Sequence, residues 1–495
     1  MSALRLPAVV GGEVVEGPWV TADGRAGTGF ATTDPYAVLP DLARRDARLS
    51  ADLDALDLDD VVEHLVAFGR RLDPDDNPLL RDVVRHSAGL ADVPPELVRS
   101  NLRLLPALFT REALTEVVDA VGREHLTGWP ETRCADGRVG AVHAFGVRAV
   151  HVIAGNSPLI AAMTVARTGL TRGEAVVKTP SNDPLTMVAL ARTMIELDPD
   201  HPLARAVSVA YWKGGDAGVE ARLYDPAVAD RIVAWGGTGS VRHALGYLGP
   251  GLELVTFDPK NSATVLGPES FDPAVVDDVA HRLALDVGAF NQVGCVNARV
   301  VYAACGTGPD GVAAAEDLGR RVHAALQTLP PQVSTAAARP DPQLRARLRA
   351  LRTGGGFHTV IGDGDGTGAV IVSHLDEPVE FADTLTGRVA NIVPVDSPAD
   401  AVRFLDAGTQ TVGVHPPSLR RALRAVLPRA GVQRTVDLGA AVSVHPALPQ
   451  DGFEPVRRLV RWAVDEHLPD GTDPLDLVFP PHRTDRPTDR QEAPA

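Results

Sequence analysis

Residues 286–305 read DVGAFNQVGCVNARVVYAAC and set one cysteine, Cys295, in a small, Gly-rich turn ahead of a β-branched run. A thiolate is a strong nucleophile, and a free thiol of pKa about 8.5 is readily activated by nearby amides or positive charge. Gly288, Ala289 and Gly294 leave room for backbone or ligand to approach, while Asn291 and Gln292 are expected to bring polar groups near the sulfur. The competing role is structural, because cysteine is often buried as a small apolar filler. Cys305, at the end of the strand-like run, and Cys134 are read as such fillers.

Other segments offer complementary chemistry. In HVIAGNSP, Asn156 stands at a strand-to-helix junction, where its amide can point into a cleft and stabilise a developing oxyanion. A helix cap is the alternative role for such an Asn. EAVVKTPSNDP puts Lys178 at the carboxyl end of a strand, suited to the hydroxyls or phosphates of a nucleotide, or else simply solvated. WKGGDAG and WGGTGS each place glycines after an apolar strand and before a helix, which lets backbone amides approach phosphate. Neither is the G-x-G-x-x-G fingerprint, and there is no G-x-S-x-G elbow or phosphate-loop lysine. The fifteen histidines show no pair at metal-ligand spacing on a helix face, so no metal site is expected.

These residues need a scaffold, and the chain supplies two kinds of texture. Residues 1 to about 40 read as short strands and turns, and 41 to about 125 as helices, with LDDVVEHLVAFGRRL and REALTEVVDAVGREHL apolar at three- and four-residue spacing. From about 146 strands alternate with helices. GVRAVHVIAG is followed by Ser157 and Pro158, a cap and first-turn proline for LIAAMTVARTGL; then come GEAVVKTP, AVSVAYW, RIVAWGG and LELVTF. Such alternation implies a largely parallel sheet covered on both faces, with ligands at the carboxyl ends of its strands. A second α/β series runs through NSATVLG, a helix near 272–287, NARVVYAAC, a helix at 312–328, HTVIG and GAVIVS. LQTLPPQVSTAAARPDPQ is read as a surface connection, and the Pro- and Asp-rich end as disordered.

The expected division is therefore 1–130 for N-terminal strands, turns and helices, 131–257 for a Rossmann-type cofactor domain, and 258–434 for an α/β catalytic domain carrying the nucleophilic cysteine. A return segment at 435–468, with a role in oligomerisation, and a tail at 469–495 complete it.

Composition narrows the class. The 495 residues exceed one core and carry a formal charge of −16, from 48 Lys and Arg against 64 Asp and Glu. An acidic chain is a poor partner for nucleic acid. Three cysteines without pattern suit a reduced, cytoplasmic setting, and no signal peptide or membrane span is expected.

The order of the pieces is more specific than any one of them. Asn156, Lys178, two glycine turns and then FNQVGC resemble the aldehyde dehydrogenase superfamily, from about 140 to about 460. HVIAGNSPL, VVKTPSNDP, IVAWGGTGSVR, FDPKNS, TQTVGV and DGFEPVRRLVRW are similar to the acyl-CoA reductases, a family that includes the fatty-acid reductase of bacterial bioluminescence. The resemblance implies reduction of an acyl-CoA or acyl-protein thioester to an aldehyde. It assigns Cys295 as the nucleophile and Asn156, with the Cys295 amide, as the oxyanion holder. It also places Lys178 at the adenosine ribose, Gly237 and Thr238 at the pyrophosphate, and Gly215 and Gly218 at the adenine pocket.

Departures from the wider superfamily also carry meaning. Where oxidising relatives have the glutamate of E-L-G-G-K, this chain has Thr256 in TFDPK; Glu253 falls three residues too early. That glutamate activates the water that hydrolyses an acyl-enzyme, so its absence favours reduction. Thr384 in TLTGRV replaces the glutamate of E-x-F-G-P. After Lys178, Ser181 and Asn182 carry no charge to repel a 2′-phosphate, which favours NADPH over NADH. The resemblance further implies a homo-oligomer, dimer or tetramer, and is compatible with a separate protein that delivers the acyl group. Three rivals stand beside it: a CoA-acylating aldehyde dehydrogenase working oxidatively with NAD, a non-redox cysteine acyltransferase or thioesterase, and a non-catalytic protein of the same fold.

Overall fold

The structure is a computed structural model that describes residues 4–24, 27–91, 93–337, 339–468, 471 and 473–475. The tail expected at 469–495 falls almost wholly outside the described residues.

Short β-branched runs buried on both faces build two seven-stranded sheets. The first has the order Glu253–Phe257, Arg231–Trp235, Arg148–Val152, Glu174–Lys178, Val207–Ala210, Ala8–Val10, Glu13–Val15. Its first five strands are parallel, and the earliest of them in sequence, Arg148–Val152, sits in the middle. The chain therefore reverses its direction of spread between Arg148–Val152 and Arg231–Trp235, and such a switch point is where open α/β sheets bind ligands. Asn156 follows the first of these strands and Gly237 the second. The last two strands correct the sequence-based expectation: they come from the N-terminal stretch and extend this sheet antiparallel.

The second sheet runs His358–Ile361, Ala369–Ser373, Val389–Pro394, Ala298–Ala303, Asn261–Leu266, Thr409–His415, Arg434–Asp437. Only the His358–Ile361 pairing is antiparallel. Helices Val276–Gly288 and Pro309–Thr328 cover one face, burying Val279, Leu283, Leu318 and Val322 against the strands. The expected α/β architecture is present. The chain segment 139–146 joins neither sheet. It pairs along its whole length with Val460–His467, on the far side of the sequence, and with Glu131–Arg133.

The N-terminal helices are not a separate body. In Leu58–Gly69, residues Leu58, Val61, Val62, Leu65 and Phe68 share one buried face, and Asp57 caps the first turn through Asp59 N at 2.7 Å. That face shares one core with helix Pro158–Leu170, whose own cap is Ser157 with Pro158 in the first turn. Arg148 ties another N-terminal helix, Pro35–Leu42, to the first sheet: its guanidinium donates to Leu42 O at 2.5 Å, to Arg44 O at 2.8 Å and to Glu174 at 2.9 Å.

The same junction stores a proton-sensitive contact. The rings of His64, on Leu58–Gly69, and His201, the cap of helix Pro202–Ala206, stack 3.6 Å apart. Burial first, and His201 second, pull the His64 pKa down to about 4; burial and Arg167 pull that of fully enclosed His151 down to about 3. Both folded-state values lie below the ordinary 6.5. Their contribution to stability is therefore complete above about pH 6.5 and is lost as pH falls toward those values. Thermal midpoints measured from neutral to acid pH should fall across this window, and should fall less in His64→Phe, which keeps a stacked ring without the proton site. Equal slopes in the two proteins would contradict the assignment.

Candidate active site

The cysteine loop begins where helix Val276–Gly288 ends. Phe290, Asn291 and Gln292 then take left-handed conformations, with φ of 53°, 56° and 62°. For non-glycine residues such backbone is strained and persists only where surroundings over-determine it. Gln292 provides that constraint. Its fully buried carboxamide donates to Ala298 O at 3.0 Å and Val389 O at 2.8 Å, and accepts from Val389 N at 2.8 Å. Asn291 accepts from Thr335 N at 2.9 Å and Ser334 Oγ at 3.2 Å. These two side chains, expected near the sulfur, commit their carboxamides to bracing the loop and also line the cavity beside it. Asn297 completes the brace, accepting from Gly294 N and donating to Asp286 O and Ala289 O.

The Pro- and Ala-rich stretch after residue 326 has a further role. Ser334 in it is buried, Val333 O receives Phe290 N at 2.7 Å, and Ala337 and Pro340 line a cavity of about 500 Å³. The stretch is largely exposed, as expected of a surface connection, and also forms part of the cavity wall. The cavity lies between the two sheets, with Asn156, Asn182, Gln292, Val293 and Arg299 on its lining and Leu97 contributed by an N-terminal helix.

Within this frame Cys295 is half-buried in polar company. Its carbonyl accepts from Ser262 Oγ at 2.7 Å, and Ser262 Oγ accepts from Thr411 N at 3.2 Å. Burial pushes the thiol pKa up and the Asp451 carboxylate adds to this, while Gln410 and Arg299 pull it down. Asn156 reaches over from the first sheet and donates to Val293 O at 3.1 Å, two residues before the cysteine. The structure thus brings Asn156 onto the loop that carries Cys295, through a contact residue 137 positions away in sequence. Cys305 is the expected filler: its thiol donates to Gly311 O and Ala303 O, and burial raises its pKa to about 11. Cys134 is not, since it is exposed in the turn between Glu131–Arg133 and Val139–Gly146.

The residues expected at a cofactor form a second group. Lys178 ends its strand with Nζ 5.9 Å from the rings of both Tyr211 and Trp212; burial lowers its pKa, and Glu220 opposes that. Ser181 lies half-buried in the following turn, where Asn182 donates to Gly155 O at 2.9 Å. Gly215, at φ +87°, donates to Glu220 at 3.2 Å and faces open space. Gly237 also faces open space, and Thr238 begins helix Thr238–Leu245. Gly218 lies exposed in helix Ala217–Leu223 against Tyr36, whose hydroxyl a Cβ there would meet at 2.5 Å. Its lack of a side chain admits Tyr36, which donates to Asp216 at 2.6 Å.

Several residues of these sites escaped the sequence reading. Glu220 is buried between His243, at 2.5 Å, and Tyr247, and ties helix Ala217–Leu223 to Thr238–Leu245. Its signal was available: a glutamate beside Val219 on an apolar helix face needs polar partners. Gln410, Asp451 and Arg299 had no local signal. The two departures noted above are placed as well. Thr256 is half-buried on Glu253–Phe257, while Glu253 is exposed and paired with Arg231 at 3.0 Å, away from any nucleophilic role. Thr384 accepts from Arg347 at 3.0 Å. Among the described residues no cluster of metal-ligating side chains occurs, and no helix is long and apolar enough to cross a membrane.

Known proteins resemble this chain over most of its length. A family model described as Acyl-CoA reductase (LuxC) matches residues 53–462, a span that takes in most of the N-terminal helices as well as the motifs from 140 onward. The long-chain acyl-protein thioester reductases of Vibrio harveyi and Aliivibrio fischeri are similar to this chain. Each is 26% identical, over 422 and 417 residues, covering 84% and 83% of both sequences. Among solved structures, the NADP-dependent glyceraldehyde-3-phosphate dehydrogenase of Bacillus halodurans C-125 aligns with a TM-score of 0.70 at 13% identity, over 94% of this chain and 99% of that one. A putative aldehyde dehydrogenase of Burkholderia cenocepacia aligns with a TM-score of 0.72 at 15% identity, over 95% and 99%. The fold is that of the aldehyde dehydrogenases.

The loop geometry makes a prediction of its own. Gln292→Leu removes three buried hydrogen bonds and strands two carbonyls and one amide, so it should lower stability by about 2–4 kcal/mol in denaturant unfolding. It should also release the left-handed run. Alkylation of Cys295 that stays unchanged while stability falls would show that the brace does not set the position of the thiol.

Proposed function

Because this chain belongs to the acyl-CoA reductase (LuxC) family and is an oxidoreductase acting on acyl groups, we propose that it reduces a long-chain acyl thioester, carried by protein or by CoA, to the aldehyde with NADPH. The observation that carries this reading is the meeting of Asn156 with the Cys295 loop beside a cavity between the two sheets.

The cofactor residues fit a dinucleotide in part. Gly215 and Gly237 leave open space for phosphate or base, Lys178 presents a buried ammonium at the strand end, and Trp212 Nε1 is buried with no partner among the described residues. Gly218 lies against Tyr36, which with Asp216 lines a neighbouring cavity of about 520 Å³. Lys178, Ser181, Gly215, Gly237 and Thr238 would hold the cofactor, which when bound supplies the hydride. Ser181 and Asn182 place no carboxylate where a 2′-phosphate would sit, so NADPH is the cofactor proposed and NADH the comparison.

The protein's own groups account for the rest. Cys295 attacks the thioester carbonyl as thiolate, forming a C–S bond, and the carrier sulfur departs and takes up a proton. Asn156 Nδ2, with the Cys295 amide, holds the negative oxygen of each tetrahedral species. After reduction of the acyl carbon, the C–S bond to Cys295 breaks, the electron pair returns to sulfur and aldehyde leaves. Thr256 has no carboxylate to activate water against the acyl-enzyme, so the acyl group survives until it is reduced. Homo-oligomerisation through the three-stranded sheet ending in Val460–His467, and an acyl-delivering partner protein, belong to the same proposal.

Acyl thioesters of varied chain length with NADPH or NADH should give aldehyde and a fall in reduced cofactor. Cys295→Ala should abolish both, and Asn156→Ala should lower kcat by about 10²–10³-fold. Aldehyde formed at the wild-type rate by Cys295→Ala would refute the proposal.

A further inference from the structure

Two of the family-like motifs, TQTVGV and DGFEPVRRLVRW, have no role in the chemistry above, yet the fold joins one residue of each beside the strand that holds the cysteine loop. Gln410 belongs to strand Thr409–His415 and is 5% exposed. The next residue, Thr411, is linked through Ser262 Oγ to the Cys295 carbonyl, which fixes this strand against the cysteine. Gln410 Nε2 donates to Asp451 Oδ1 at 2.5 Å. Gln410 Oε1 is buried and has no donor among the described residues. Asp451 sits in a left-handed turn with φ of 54°.

A carboxylate cannot accept from a carbonyl oxygen, so Asp451 dictates which end of the Gln410 carboxamide faces it. The nitrogen carries two hydrogens. With one committed to Asp451, the second is available to the sulfur, and the Gln410 contact favours the thiolate. The buried, unpartnered Oε1 shows that this orientation is held at the expense of an acceptor, as expected where one orientation is imposed.

We propose that Gln410 donates a hydrogen bond to the Cys295 thiolate and that Asp451 is the positioning residue that aims it. The inference rests on Cys295 being the nucleophile. The thiolate exists twice in a turnover, before attack on the thioester and when aldehyde leaves, and the same N–H serves it at both moments. The two residues act on the sulfur with opposite sign. Gln410 stabilises the anion, whereas the charge of Asp451 disfavours it while its hydrogen bond aims Gln410. The other charged group facing the thiol is Arg299, and those facing Asp451 are Lys260, Asp258 and Arg167.

The test is the pH dependence of iodoacetamide alkylation of the full chain, read on the Cys295 peptide by mass so that exposed Cys134 does not intrude. Gln410→Leu should move the midpoint up by about one pH unit or more. Asp451→Asn keeps the acceptor for Gln410, removes the charge and tolerates the left-handed backbone, so it should move the midpoint down. Asp451→Ala loses the aim as well, and its midpoint should lie above that of Asp451→Asn. Should Gln410→Leu fail to fold by circular dichroism, Gln410→Met supplies the same loss of donors. Midpoints that stay fixed, or that move the same way in Gln410→Leu and Asp451→Asn, would overturn the proposal. Aldehyde formation measured in parallel separates the two readings. Activity that survives Cys295→Ala removes the nucleophile itself, whereas activity that needs Cys295 with unmoved midpoints removes only the Gln410–Asp451 pair.

Discussion

The site hangs on one buried side chain. Gln292 grips two strands, through Ala298 and Val389, and so forces the backbone just before Cys295 through three left-handed residues. Without that grip the sequence Phe-Asn-Gln would relax to ordinary backbone and carry the cysteine with it, because none of the three is a glycine. The neighbouring contacts share the load. Asn291 ties the loop to Ser334 and Thr335, Asn297 closes it on itself, and Asp286 anchors the helix before it to Gly439 and Ala441. A thiol held this firmly pays little to reach its reactive position, the kind of preorganisation on which covalent catalysis relies.

Position alone would leave a half-buried thiol protonated. The surroundings set a balance: desolvation and Asp451 work against the anion, Arg299 and Gln410 for it. Each of those groups comes from a different part of the chain, and Asn156 comes from the other sheet entirely. On the proposed reading, the junction between the two sheets is where thioester, thiol and reduced cofactor meet. The N-terminal helices take part, since Leu97 lines the cavity and Arg148 and the Leu58–Gly69 face bind them to the first sheet. The span of the family match, which begins at residue 53, agrees with a helical segment that belongs to the enzyme's architecture.

What could be read from the sequence was local. β-branched runs gave the strands, and Ser157 with Pro158 gave the start of a helix that the structure places at Pro158–Leu170. Asn156 and Cys295 stood out because strand-end residues in polar, Gly-rich turns are few. Long-range pairing was not legible. Nothing in AVVGGEVV distinguishes an isolated hairpin from strands that extend a sheet built 140 residues later, because edge pairing depends on backbone groups rather than side-chain pattern. Side-chain direction was not legible either. Asn291 and Gln292 looked like companions of the thiol, and the structure shows their carboxamides spent on bracing the loop, with partners at Ser334, Thr335, Ala298 and Val389. Gln410 and Asp451 reach the thiol only through the register of Thr409–His415 and a turn 41 residues further on. Gly218 shows the converse: a glycine on helix Ala217–Leu223 leaves room for an aromatic ring, here Tyr36.

The most direct measurement of the central claim is trapping of the acyl group in the absence of NADPH. The full chain incubated with a long-chain acyl thioester should gain the mass of one acyl group, mapped by peptide digestion to Cys295, and the label should leave as aldehyde when NADPH is added. An acyl group found on a different residue, or one on Cys295 that leaves only as free acid after NADPH is added, would contradict the account.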